Sequence, residues 1–219
     1  MNDSFLVSAA FTSSFSDLGR VHIYKRGIAP GSWILSTTFL GRLDIPFVNY
    51  GWDIDLDQDR LIIAALTDTG AAVGSGAAYT AVYNPAVDAW QSEDRFFPMD
   101  GAEEDMIYSV AISGDLALLG SPNHSHGGII SGAAYAFHFD GSNWIQEAEL
   151  LPSDAANGDL FGKAVELHGN TAVIYSPRDA LGSIYVFRRI AGSWVESGKI
   201  KGPDNGFTGI SENRRNIDF

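Results

Sequence analysis

Gly182-Ser183-Ile184-Tyr185-Val186-Phe187 is a short apolar run opened by a glycine, and its outline returns three more times along the chain. The counterparts are Gly132-Ala133-Ala134-Tyr135-Ala136-Phe137, Gly76-Ala77-Ala78-Tyr79 and the looser Gly19-Arg20-Val21-His22-Ile23-Tyr24. Each is followed by one tryptophan: Trp33, Trp90, Trp144 and Trp194. A unit of about fifty residues made of short strands is the sequence signature of propeller blades.

Ahead of the glycine runs come paired apolar strands with a tight turn between them. These read Ile54-Asp55-Leu56 and Leu61-Ile62-Ile63, Val110-Ala111-Ile112 and Ala117-Leu118-Leu119, Val165-Glu166-Leu167 and Ala172-Val173-Ile174. The fourth pair is expected to be split between the chain ends, with Ile217-Asp218-Phe219 before Met1-Asn2-Asp3 and Phe5-Leu6-Val7. The turn residues Asp3, Asp59, Asp115 and Asn170 correspond at spacings of 56, 56 and 55. The expectation is an all-β fold, one domain over residues 1–219 forming a four-bladed β-propeller. Blade 1 takes residues 3–40 and is closed by the C-terminal strand, 214–219; blades 2, 3 and 4 take 50–97, 106–151 and 161–200. The alternative is a larger ring or one completed by a second chain, so that both monomer and homodimer are open.

In blade 4 the inner strand is predicted over 162–167, followed by strands at 171–175, 183–188 and 193–200. Alternation supports this, since Val165 and Leu167 share one face and Ala164 and Glu166 the other. Strands that run alternately place the loops between second and third strands at the same end as the connections between blades. That end has the longer and more varied loops, and a rigid scaffold concentrates binding in such loops.

The chain has 219 residues, 45% of them hydrophobic, enough for a sizeable core. There is no cysteine, so thiol chemistry and disulfides are excluded. Fourteen basic residues against 27 acidic give a net charge of −13, a surface that repels phosphate backbones and leaves nucleic acid out of the expected partners. No apolar run approaches the length of a membrane span, and none is expected. Residues 1–15 lack the basic segment and apolar core of a secretory signal, and the compartment stays open.

Blade 4 resembles an FG-GAP repeat, the propeller repeat also found in integrin α-subunit heads. The residues that carry the resemblance are Phe161-Gly162, then Tyr175-Ser176-Pro177, then Gly182-Ser183-Ile184-Tyr185-Val186-Phe187. Blade 3 keeps Gly120-Ser121-Pro122 and Gly132-Ala133-Ala134-Tyr135, with Met106-Ile107 in place of Phe-Gly; blade 2 keeps Tyr50-Gly51 and Ala64-Ala65, and blade 1 has Ser8-Ala9-Ala10. The resemblance implies a β-propeller and allows an extracytoplasmic setting. It also implies an Asp-rich calcium loop in the first hairpin turn of a blade, but these turns are too short to wrap an ion. Asp53, Asp55, Asp57 and Asp59 imitate the acid spacing, yet Ile54 and Leu56 continue a strand, so an exposed acidic strand face is expected.

Aligning the repeats puts Asp55, Ala111, Glu166 and Asp218 at one level of the inner strands. Three carboxylates converging on a channel would bind a divalent cation or raise one another's pKa. Three residues earlier, Trp52, Tyr108, Lys163 and Arg215 align, and Trp52 with Tyr108 would form an aromatic platform at the channel mouth. The repeat tryptophans are expected to plug the gaps between blades or anchor the outer strands. On the loop face, Asp100, Glu103, Glu104 and Asp105 form the densest acidic segment, with Asp154 and Asp159 in its counterpart. They would rim a surface receiving Lys or Arg from a partner. His124 and His126 could share a metal, although no third ligand aligns with them and Gly127-Gly128 suggest a mobile loop.

No catalytic motif is present in the sequence. The expected role is a non-enzymatic binding or interaction module for a protein or carbohydrate, with no resident cofactor beyond a possible divalent cation. The alternatives are a glycan-active enzyme using the channel carboxylates and a structural oligomer subunit.

Overall fold

The computed structural model describes residues 4–10, 19–41, 49–179 and 181–202, and every regular element among them is a strand. The first sheet has the order β1 (Phe5–Ala10), β2 (Arg20–Arg26), β3 (Trp33–Leu40). The second is β4 (Tyr50–Asp57), β5 (Arg60–Ala65), β6 (Ala77–Asn84), β7 (Ala89–Phe96). The third is β8 (Ser109–Ser113), β9 (Leu116–Ser121), β12 (Ala133–Phe139), β13 (Trp144–Leu150). The fourth is β14 (Ala164–His168), β15 (Thr171–Ser176), β16 (Ser183–Ile190), β17 (Ser193–Lys201). A small hairpin of β10 (Ser125–His126) and β11 (Ile129–Ile130) rises from the β9–β12 loop. All the strand pairs within these sheets are antiparallel. The strand expected over 214–219, with Asp218 and Arg215, lies outside the described residues, as does the turn Met1-Asn2-Asp3.

Two-residue turns close the first hairpin of each four-stranded sheet, at Gln58-Asp59, Gly114-Asp115 and Gly169-Asn170. The first residue of each has positive φ, which glycine accepts without cost and Gln58 accepts at φ 53°. Period-two alternation then divides the middle strands between two cores. On β5, Leu61, Ile63 and Ala65 pack toward the first sheet, beside Val21 and Ile23, while Ile62 and Ala64 pack toward the third, beside Val110 and Ile112. On β9, Leu119 joins the core shared with the second sheet and Leu118 the core shared with the fourth. The sheets therefore stack face on face in chain order, with β4 against β8 and β8 against β14 at the inner edge.

The repeat glycines have a physical reason. Gly76 and Gly132 have φ of 83° and 86°, and a Cβ there would stand 2.2 Å from the Ile107 nitrogen and 2.1 Å from the Phe161 oxygen. Each glycine thus starts the third strand of one sheet in direct backbone contact with the segment that opens the next.

Tryptophan placement follows the stacking with one exception. Trp144 stacks on Phe96 of the preceding sheet at 5.1 Å, and its Nε1 donates to Thr80 Oγ1 at 3.1 Å. Trp90 meets Phe5 edge-on at 5.1 Å, and Trp194 Nε1 donates to Glu147 Oε2 at 2.8 Å. Trp33 is 40% exposed and does not plug a gap. Trp90, Trp144 and Trp194 each make contact with the sheet before their own.

Candidate functional site

The loops between second and third strands meet the inter-sheet connections at one end of the stack. Glu104 N donates to Val73 O at 3.2 Å and Ile107 N to Leu66 O at 3.2 Å. One sheet further on, Gly158 N donates to Ile130 O at 2.7 Å, and Ile130 N to Asn157 Oδ1 at 3.1 Å. The Gly127-Gly128 segment is thus the turn of a hairpin anchored by its β11 side.

The six loop acids divide into two groups. Asp100, Glu103, Glu104 and Asp154 are exposed, whereas Asp105 and Asp159 are buried. The buried pair anchors two equivalent turns: Ala102 N donates to Asp105 Oδ2 and Ala156 N to Asp159 Oδ2, both at 2.7 Å. Ser121 Oγ and Ser176 Oγ then donate to the backbone oxygens of Asp105 and Asp159 at 3.0 and 2.8 Å. Asp105 and Asp159 therefore shape the loops, and the rim itself is formed by the other four. Burial pushes the Asp159 carboxyl above its usual range, with the Asp179 and Asp154 charges adding to it and the bond from Ala156 opposing it.

Each four-stranded sheet has a polar corner at this end, built from a tyrosine on the third strand, its cross-strand partner on the fourth and a residue of the preceding loop. In the second sheet Tyr79 pairs with Arg95 across the strands, and the loop supplies Asp68, which is fully buried. Arg95 grips Asp68 with Nη2 to Oδ1 at 3.1 Å and Nε to Oδ2 at 3.2 Å, and the Tyr79 hydroxyl donates to Oδ2 as well. Burial, then the bond to Asp68, pushes the Tyr79 phenol up to about 12. The fourth sheet repeats the pattern with Tyr185, Lys199 and Asp179. Its tyrosine hydroxyl lies 2.7 Å from Asp179 Oδ2 and 2.8 Å from Asp154 Oδ1, with one proton to share between them.

The third sheet inverts this corner. The residue opposite Tyr135 is Glu149, and the loop residue equivalent to Asp68 and Asp179 is His124. His124 Nδ1 donates to Asp105 Oδ2 at 2.7 Å, and its Nε2 stands 3.3 Å from Glu149 Oε1. His126 Nδ1 lies 3.3 Å from the same Oε1, an atom buried without a hydrogen-bond partner. His124, His126 and Glu149 are the residues placed to hold a metal, their ligand atoms all within 4.8 Å of one another. Sequence reasoning missed Glu149. The signal lay in the register: a carboxylate occupies the strand position where the neighbouring repeats have Arg95 and Lys199.

The acids of β4 have another task. Asp53, Asp55 and Asp57 accept hydrogen bonds through Oδ2 from the backbone nitrogens of Val110, Ile112 and Gly114 at 2.9, 2.7 and 2.7 Å. They satisfy N–H groups along the free edge of β8, which no strand among the described residues covers. The expected exposed acidic face is corrected for Asp53, only 8% exposed, and for Asp55 and Asp57, which are half-buried, while Asp59 in the turn is exposed. Ser113, equivalent to Asp57, repeats the device by accepting from Gly169 N at 3.0 Å. Asp55 and Glu166 lie on β4 and β14, the two strands that flank β8, and Asp218 is outside the described residues. Trp52 and Tyr108 do meet, edge-to-face at 5.3 Å, and Lys163 Nζ lies 3.5 Å from the centre of the Tyr108 ring. A separate groove of about 380 Å³ opens between β3 and the outer strands of the second sheet, lined by Phe39, Tyr79, Ser92 and Arg95 among others.

No curated protein matches the chain. Residues 90–137 and 144–187 each match the family model of the FG-GAP repeat. Both matches begin at an outer-strand tryptophan and end on the third strand of the following sheet, so each recognised unit crosses from one sheet into the next. The two matches support an FG-GAP-like repeat protein.

Proposed function

We propose that this protein is a four-bladed β-propeller that serves as a non-enzymatic interaction module, and that its loop end receives a basic segment of a partner protein. The observation that carries the reading is the segregation of acids at that end. Asp100, Glu103, Glu104 and Asp154 are exposed on loops whose backbones are tied to one another and to buried Asp105 and Asp159. Charges held on such a scaffold steer and orient a cationic partner with little ordering cost. The ring itself requires 214–219 as the fourth strand of the first sheet, supplied by the same chain or by a second copy.

A glycan receives less support. The Tyr108 ring already carries Lys163 on its face and meets Trp52 edge-on, which leaves little flat aromatic surface for a sugar. The glycan-active alternative needs two carboxylates free to act on a substrate, and Asp55 is committed to the Ile112 amide.

Fluorescence anisotropy with a labelled lysine- and arginine-rich peptide tests the reading at physiological salt. Neutralising Asp100, Glu103, Glu104 and Asp154 together is expected to weaken binding about tenfold or more. Neutralising Asp59, Asp88, Asp115 and Asp140, which occupy the turns at the opposite end, is expected to change it far less. Equal losses would reduce the effect to net charge, and no binding by the unaltered protein would overturn the proposal.

A further inference from the structure

The geometry points to a divalent transition-metal site in the third sheet, with His124 Nε2, His126 Nδ1 and Glu149 Oε1 as ligands and zinc as the fitting ion. The chemistry of the donors comes first. Two imidazoles and one carboxylate suit zinc and its neighbours, whereas calcium and magnesium take oxygen ligands. Ligands held tetrahedrally about 2.0–2.1 Å from a zinc ion stand about 3.3–3.4 Å from one another. Both imidazole nitrogens lie 3.3 Å from Glu149 Oε1, and the ligand atoms all fall within 4.8 Å of one another. A small closing movement of the β10–β11 hairpin, which carries His126, would complete that triangle.

The surroundings are those of a ligand. His124 is buried, and Asp105 Oδ2 accepts a hydrogen bond from its Nδ1–H at 2.7 Å. That bond fixes the ring and directs the Nε2 lone pair at Glu149, the carboxylate–histidine arrangement that orients metal-bound imidazoles. Asp105 is itself held by the Ala102 amide at 2.7 Å. Glu149 Oε1 is buried without a hydrogen bond, although two histidine nitrogens stand within contact distance. An oxygen in that condition is costly unless something else satisfies it, and a cation between it and the two nitrogens would do so.

The other repeats provide an internal control. At the equivalent corners Asp68 faces Arg95 and Asp179 faces Lys199, and each corner closes as an ion pair. Only the third corner among these exchanges the cation for a carboxylate and the loop acid for an imidazole, and it adds His126 beside them. His126 is 55% exposed by its side chain, so the fourth coordination position opens toward solvent at the loop end, within reach of water or of a partner's ligand. The site depends on these three side chains alone and stands or falls separately from the acidic rim.

Isothermal titration of zinc chloride into the metal-stripped full chain, with excess magnesium present to occupy the general acidic surface, reads the site directly. One zinc per chain is expected to bind in the micromolar range or tighter. His126→Ala and Glu149→Gln are each expected to weaken it at least tenfold, and His126→Ala changes only an exposed hairpin residue, so circular dichroism should be unaltered. Cobalt substitution should give the intense visible absorption of a tetrahedral site and lose it in both variants. Absence of saturable zinc binding overturns the proposal, as does zinc binding that both variants retain. If the corner is only an imidazolium–carboxylate pair, the first of these results will be seen.

Discussion

Tyr79 in the second sheet stands between a loop carboxylate and a strand guanidinium; Tyr135, its equivalent in the third, stands between a loop imidazole and a strand carboxylate. Elsewhere the two sheets share one strand order. Both begin the tyrosine strand with a left-handed glycine pressed on the next sheet's backbone, and in both the outer tryptophan is buried against the sheet before. The fourth sheet has the same charge order at its corner as the second. The inversion in the third is therefore not a requirement of the fold. What the frame needs is closeness at the glycines; what the corner needs is complementary charge, and charge can be exchanged or bridged by an ion without moving a strand.

The largest effects should come from the shared frame. Gly76→Ala and Gly132→Ala each force a left-handed alanine and drive its Cβ to 2.2 or 2.1 Å from a backbone atom. Each is expected to cost more than about 3 kcal/mol, because strain and displaced backbone add. Urea unfolding measures both, and tolerance at either glycine would break the premise that the sheets share one frame. The corners should then separate the sheets. Asp68→Ala leaves the mostly buried Arg95 without its partner and is expected to cost about 3 kcal/mol. Glu149→Gln, which removes a carboxylate whose Oε1 makes no hydrogen bond, is expected to cost less than about 1 kcal/mol in metal-free protein. Similar losses at the two corners would erase the difference between them.

Most of the frame was legible from residues. The strand pairs lie within a residue or two of where the turns and alternation placed them, because glycine-containing two-residue turns and period-two apolar patterns are local signals. What the sequence hid depends on which neighbour a side chain finds. The Asp53, Asp55 and Asp57 series has the look of a solvated face, yet each bonds an amide 57 positions further on. Asp105 and Asp159 resemble their exposed neighbours in sequence and differ only in turning back on their own loops. Glu149 became visible as a partner of the histidines only through strand register. Trp33 repeats the spacing of the other three tryptophans and is nonetheless 40% exposed.

The smallest effect expected is in acid, and it contrasts the fourth sheet's ion pair with the third sheet's corner. Lys199 donates to Asp154 at 2.7 Å and pairs with Asp179. The bond from Lys199, followed by that from Tyr185, holds the Asp154 carboxyl below its usual range. At Asp179 burial is the largest influence and pushes upward, but the bonds from Lys199 and Tyr185 outweigh it and the carboxyl is again lowered. Carboxyls depressed in the folded state stabilise it above the ordinary aspartate range, and that contribution is lost as pH falls through the folded values. Lys199 is raised, with burial opposing and the two carboxylates prevailing, so its contribution lasts from acid through neutrality and is lost only as pH rises through its folded value. Asp159, raised by burial, has the opposite sign to its neighbours and favours the folded state most in acid. Lys199→Met should therefore let Asp154 and Asp179 protonate sooner and move the acid-unfolding midpoint, followed by circular dichroism, to higher pH. The shift should be modest, since Asp154 is half exposed and screened by solvent. The third corner, where the strand position carries Glu149 in place of a lysine or arginine, has no equivalent substitution. If Lys199→Met leaves the midpoint in place, hydroxyl donors rather than the lysine hold the two aspartates, and the fourth corner is closer in kind to the third than its charges imply.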